Sequence, residues 1–264
     1  MRITALVENT SHCELKGVHG LSLYVETAGH RLLFDLGSDR TLLENAAKRG
    51  IDLAQVDTAV ISHGHSDHGG ALEAFLGVNR TARVYVQRRA FERHFSKSLG
   101  PVKIPIGLDR KLMDHPQVVL VDGDYRIDGE LLLFTVADTA RFHSAANDTL
   151  YDETGPDRFA HEQNLMIFGE RSVLLLGCGH CGVVNILERA KAYRPEVCVG
   201  GYHLRIPVTG RTVPEELLAG IAGELQKYDM DFYTCHCTGE KAFQYLARRV
   251  ERMHYLACGE SIEL

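Results

Sequence analysis

The six residues His63-Gly64-His65-Ser66-Asp67-His68 place three imidazoles and one carboxylate on one short segment. Gly69-Gly70 follows, and an apolar, β-branched run at 56–61, broken by Asp57 and Thr58, precedes it. That run reads as a strand and 71–76 as the start of a helix, so the polar groups fall on a strand-to-helix turn. Imidazole nitrogen and carboxylate oxygen suit a borderline divalent ion such as zinc. Four candidate ligands exceed what one open catalytic ion takes from a single loop, which points to two neighbouring ions sharing it. Solvated turn histidines with no ligand role are the plain alternative, and the density of ligands weighs against it.

Two further turns repeat the plan. Gly177-Cys178-Gly179-His180-Cys181-Gly182 lies between a predicted strand at 172–176 and a helix at 183–193. Cys235-His236-Cys237-Thr238-Gly239 lies between a strand at 231–234 and a helix at 240–249. Three strand ends that each deliver a histidine to a turn can face one cleft, as sites in open α/β sheets do. The helix after Gly182 is expected to aim its N-terminal amides at that cleft and favour an anionic group. His203, in Gly201-Tyr202-His203-Leu204, reads as a ligand, a proton donor or a substrate contact.

Two rival readings use the same turns. The glycines at 177, 179 and 182 match G-x-G-x-x-G, with Glu196 near the position of a ribose-binding acid, but the motif sits far along the chain and contains a histidine. Cys178-x-x-Cys181 with Cys235-x-Cys237 resembles a four-thiolate site, although the second spacing is tight. We read His180 and His236 as the ligands and the cysteines as small buried neighbours.

The elements that must position these groups alternate along the chain. Strands are expected at 3–7, 21–25, 31–36, 83–87, 117–121, 131–136, 165–168 and 196–199, with a last one at 253–257. Helices are expected at 41–48, 88–97 and 214–227. The segment 137–163, with Asp138, Arg141, His143, Asp152, Arg158, His161 and Glu162, lacks periodicity and reads as a lid over a polar site. No linker or repeat stands out, so residues 1–264 read as one domain.

Composition removes several function classes. The net charge is −6 with no dense basic block, which disfavours nucleic acid as a partner. No apolar run approaches the roughly 20 residues of a membrane helix, and the first residues lack a signal-peptide core. Seven cysteines, an odd number in a chain of this size, argue against a disulfide framework and for a reducing cytoplasm.

The assembled motifs resemble the metallo-β-lactamase superfamily, whose signature is His-x-His-x-Asp-His after a strand with later histidines on two more turns. Leu6-Val7-Glu8-Asn9, Glu162-Gln163, Gly177-Cys178-Gly179-His180, Gly201-Tyr202-His203-Leu204 and Cys235-His236-Cys237-Thr238-Gly239 look like one subfamily. Its archaeal members are named as dihydropterin–ribofuranosylaminobenzene phosphate synthases. The resemblance implies an α/β (α+β) fold, a four-layer αββα sandwich with the metals at one edge between two mixed sheets. It implies a metallo-hydrolase with a dinuclear centre that activates water against a phosphorylated or carbonyl-containing small molecule. Site one would be His63, His65 and His180; site two would be Asp67, His68 and His236. Asp67 would also orient the nucleophile or take up a proton, and His203 and Asn9 would contact a small anionic substrate. The cofactors expected are two divalent ions, zinc first, with iron or manganese as alternatives. One departure stands out. The superfamily usually sets a bridging Asp after the strand at 172–176, where this chain offers Cys178 and His180, and a third His before that hairpin, where only His161 is near. A pterin-type transferase on a diphosphate-activated substrate and an iron-dependent oxidoreductase are the alternatives; His65, where diiron relatives tend to carry Glu, favours zinc and hydrolysis.

Overall fold

The computed structural model describes residues 1–97, 102–137, 139, 141–207 and 209–264. Asp138 of the expected lid lies outside the described residues. Two seven-stranded mixed sheets face each other. The first runs, edge to edge, Ser261–Glu263, Arg2–Val7, Ser22–Glu26, Arg31–Phe34, Thr58–Ile61, Arg83–Gln87 and Val118–Val121, antiparallel as far as Arg31–Phe34 and parallel beyond it. The second runs Met253–Tyr255, Asp231–Thr234, Val197–Gly200, Val173–Leu176, Asn164–Ile167, Leu131–Phe134 and Tyr125–Arg126, parallel among the first four and antiparallel after them. A small third sheet joins Leu150–Tyr151, Phe95–Ser96 and Ile104–Pro105.

The strands are apolar on both faces because both faces are covered. In the strand Arg31–Phe34, Leu32 and Phe34 enter the core between the sheets while Leu33 joins the outer layer. In Val173–Leu176, Val173 and Leu175 point between the sheets, and Leu174 and Leu176 point outward. Helices α1 (Thr41–Lys48) and α3 (Leu72–Val78) cover the first sheet through Leu42, Ala46, Leu72 and Phe75. The short α2 (Ser66–Gly69) carries part of the histidine-rich turn. Helices α4 (Val183–Ala190), α5 (Glu215–Leu225) and α6 (Glu240–Ala247) cover the second sheet through Ile186, Leu187, Ile221, Leu225 and Leu246. These four layers are the αββα sandwich that the resemblance implied.

Two local expectations fail. The helix expected at 88–97 is a single turn of 3-10 helix, Arg88–Phe91, followed by the strand Phe95–Ser96. The side chain of Gln87 accepts from the Arg89 amide, His94 is pulled inward to Asp157, and Phe95–Ser96 pairs with Leu150–Tyr151, so tertiary contacts override helical propensity. The strand at 253–257 is not the last: Ser261–Glu263 follows and pairs with Arg2–Val7, closing the edge of the first sheet.

The two sheets are also joined by a polar contact. His30 Nδ1 lies 2.8 Å from Asp57 Oδ1 and Nε2 lies 2.8 Å from Asp128 Oδ2, so one imidazolium ties the first sheet to the turn before Leu131–Phe134. Burial opposes its charge, but the two carboxylates win and raise its pKa above the usual 6.5. A raised folded-state pKa gives stability that is full below the unfolded value and fades as pH rises through the folded value. The melting-temperature gap between wild type and His30→Ala is therefore expected to be widest below about pH 6.5 and to narrow as pH rises above it. A gap that stays constant over that range would contradict the contact's charge.

Candidate metal centre

The ligand-bearing turns all follow the carboxyl ends of parallel strands, which brings them to one rim of the sandwich. Ser62 to His68 follow Thr58–Ile61, Cys178 and His180 follow Val173–Leu176, His203 follows Val197–Gly200 and His236 follows Asp231–Thr234. His63, His65, His68, His180 and His236 are all buried.

Hydrogen bonds fix which nitrogen of each ring faces inward. Asp35, at the end of Arg31–Phe34, accepts from His68 Nδ1–H (2.7 Å) and from the Ser62 hydroxyl (2.8 Å). With its proton given to Asp35, Ser62 Oγ accepts from His63 Nδ1–H at 2.8 Å. Asn147 donates its amide to the His180 carbonyl, so its Oδ1 accepts from His180 Nδ1–H at 2.9 Å. Asn9 Oδ1 likewise accepts from His236 Nδ1–H at 2.8 Å. The Nε2 atoms of His63, His68, His180 and His236 are thereby aimed inward. His63 Nε2 and His180 Nε2 are 3.3 Å apart, and His68 Nε2 and His236 Nε2 are 3.2 Å apart. His65 joins the first pair with Nδ1 3.0 Å from His63 Nε2, and Asp67 Oδ2 sits 3.3 Å from His236 Nε2. Lone pairs at these separations repel unless a proton or a metal cation lies between them. Tetrahedral zinc bonds of 2.0–2.1 Å to nitrogen give an edge of about 3.3 Å, which these separations approach. The residues present therefore fit two divalent ions, one among His63, His65 and His180 and one among Asp67, His68 and His236.

The electrostatics agree. Burial, and then neighbouring imidazoles (His68 first for His63, His203 first for His180), push both well below 6.5, so both are neutral at pH 7. Burial pushes His65 the same way. Burial resists charge on Asp67, yet His68, His19 and His236 hold its carboxyl well below the usual range. His68 is resisted by burial but raised to about 9 by Asp35 and Asp67, so this side of the cavity favours positive charge.

Two buried glutamates hold the turns themselves. Glu162 accepts from the amides of His180 and Cys181 at 2.7 and 2.8 Å, and Glu8 accepts from the amides of Thr10 and His236. The amides just ahead of α4, those of His180 and Cys181, serve Glu162, an internal carboxylate. The glycines of the 177–182 turn are explained by packing. A Cβ on Gly177 would lie 2.1 Å from Ser62 Oγ, and one on Gly179 would lie 2.9 Å from the Gly201 carbonyl. No dinucleotide is needed to account for them.

The remaining candidates fall in three places. His203 is buried, both of its ring nitrogens lack a partner, and it lines a cavity of about 200 Å³ with Asp67, Cys178 and His236. Asn9 lines the same cavity, but its Oδ1 is spent on His236. His161 turns away from the first lobe, accepting from the Gly64 amide and donating to Asp157, so His180 is the third histidine there. His65 Nε2 has no partner, and a ring nitrogen of His65 lies within 4.8 Å of possible ligand atoms of His94, Asp157 and His161. Sequence reasoning missed Asp35, Asn147 and His19, whose Nε2 is 3.2 Å from Asp67 Oδ2. It also set aside Cys178, whose Sγ is 3.2 Å from His68 Nε2. From the segment 137–163, Leu150 walls the cavity and Asn147 orients His180.

A His/Asp centre at the rim of an αββα sandwich defines a metallo-β-lactamase fold. Residues 15–186 match the family model described as the metallo-beta-lactamase superfamily, and the chain belongs to that superfamily. It is 24% identical over 253 residues to an uncharacterized protein, MJ0448, of Methanocaldococcus jannaschii, covering 93% of this chain and 94% of that one. It is 24% identical over 266 residues to the 7,8-dihydropterin-6-methyl-4-(beta-D-ribofuranosyl)-aminobenzene-5'-phosphate synthase of the same organism, covering 89% and 87%. The solved structure of Tm1679, a metal-dependent hydrolase of the β-lactamase superfamily, superposes with a TM-score of 0.85 at 26% identity over 100% of this chain and 99% of that one.

Asp35 orients His68 directly and His63 through Ser62, so Asp35→Asn is expected to weaken zinc binding about 10- to 100-fold in a competitive chelator titration. Asn tolerates the left-handed backbone at this position (φ 63°), so the fold should persist. Unchanged affinity would show that the Asp35 hydrogen bonds do not govern ligation.

Proposed function

We propose that this chain is a metal-dependent hydrolase with a dinuclear, zinc-type centre acting on a small anionic molecule that bears a phosphoryl or carbonyl group. The observation that carries the proposal is the convergence of four inward-facing imidazole Nε2 atoms and the Asp67 carboxylate in one buried rim. Bound divalent ions supply Lewis acidity there, activating water at neutral pH and polarising the substrate oxygen. His63, His65 and His180 would hold one ion, and Asp67, His68 and His236 the other.

The chain's own groups supply the rest. Asp67 Oδ2, held between His19 and His236, orients the attacking water and takes its proton. His203 faces the cavity with both nitrogens free and donates a proton to the leaving group. Arg205, on the cavity wall beside His203, offers a cation to the anionic part of the substrate. Leu150 and Ile106 line the same cavity and exclude bulk water. Nucleic acid and membrane are not among the partners we propose; among the described residues no helix is long and apolar enough to cross a membrane.

The kinship to a synthase supports a second reading, a transferase in which the same centre binds a diphosphate leaving group and an aryl acceptor attacks. A panel of phosphate esters, lactones and thioesters separates the two. Hydrolytic turnover that a chelator removes and zinc restores supports hydrolysis; turnover only with a diphosphate-activated pterin and an arylamine supports transfer. With a substrate in hand, His203→Asn, which suits the left-handed backbone at φ 49°, is expected to lower kcat about 10²- to 10⁴-fold at unchanged metal content. A kcat within twofold of wild type would remove His203 from the mechanism.

A further inference from the structure

We propose that Cys178 Sγ bridges the two metal ions, a thiolate standing where the superfamily usually sets an aspartate. This rests on the two-ion reading above and adds the donor that joins them. Cys178 is 2% exposed and its Sγ lies 3.2 Å from His68 Nε2. It shares candidate ligand groupings, all atoms within 4.8 Å, with His63 and His68, with His180 and His203, and with His236 and Cys237. It therefore reaches ligands of both lobes, as a bridge must.

The other two cysteines near the site, Cys237 and Cys181, have backbone partners. Cys237 Sγ accepts the His203 amide at 3.3 Å and reaches the Cys178 carbonyl at 3.5 Å, so it already has two backbone partners. Cys181 Sγ faces the carbonyls of Phe159 and Val136, away from the imidazoles. Cys178 Sγ meets instead His68 Nε2, the ring nitrogen that the Asp35 bond turns inward. On metal binding the S–H bond breaks, the sulfur lone pairs form the metal–sulfur bonds, and the proton leaves to water; no redox change is involved. A bridging thiolate softens the centre, favouring zinc over manganese or magnesium.

The test uses the full-length chain loaded with cobalt(II), with bound ions counted by elemental analysis and thiolate-to-cobalt charge transfer read in the near ultraviolet. Wild type and Cys237→Ser are expected to bind two ions per chain and to show the band. Cys178→Ser is expected to lose it, and Cys178→Asp to bind two ions without it. Two bound ions with no band in wild type, or a band that survives Cys178→Ser, would overturn the bridge while leaving the two-ion reading intact. A single bound ion in wild type would overturn both.

Discussion

The centre depends on one buried carboxylate. Asp35 has no solvent exposure, and it accepts the Ser62 amide, the Ser62 hydroxyl and His68 Nδ1–H. A lone buried carboxylate would cost several kcal/mol, which these three hydrogen bonds and the cationic character of His68 offset. Through them one anion fixes ring nitrogens in both lobes: His68 directly, and His63 by way of Ser62. The sandwich makes this possible by ending Arg31–Phe34 and Thr58–Ile61 side by side in parallel register, with Phe34 opposite Val60. The residues just beyond those strands, Asp35 and Ser62, are then neighbours by construction.

The same region holds local strain. Asp35, His203 and His236 all adopt positive φ without being glycine. Each such residue costs about 1–3 kcal/mol unless its surroundings impose it. Glu8 imposes it at His236 through the backbone amide, and the Ser144 hydroxyl, donating to the His203 carbonyl at 2.5 Å, does so at His203. The stability of two continuous apolar sheets supports a rim of polar side chains held in unfavourable local geometry.

The histidine motif was legible because it packs its chemistry into six residues, and the strand-turn-helix pattern around His180 and His236 repeats it. The apolar runs showed the layers, since strands covered on both faces read as continuous hydrophobic segments. Asp35 was not legible. It is one acid after an ordinary strand, and its importance arises only from the register with Thr58–Ile61. Asn147 was hidden in an aperiodic segment, where nothing local says that it orients His180, and the Glu162-Gln163 motif was visible without showing that Glu162 holds the His180 amide. Cys178 was ambiguous for a different reason: spacing alone does not separate a small buried thiol from a ligand, whereas its distance to His68 does.

The most direct test of the account is an anomalous difference map from crystals of the zinc-loaded protein, recorded on both sides of the zinc edge. The account predicts two zinc peaks about 3.5–4 Å apart, one among His63, His65 and His180 and one among Asp67, His68 and His236. A single peak, or peaks placed away from these histidines, would contradict it.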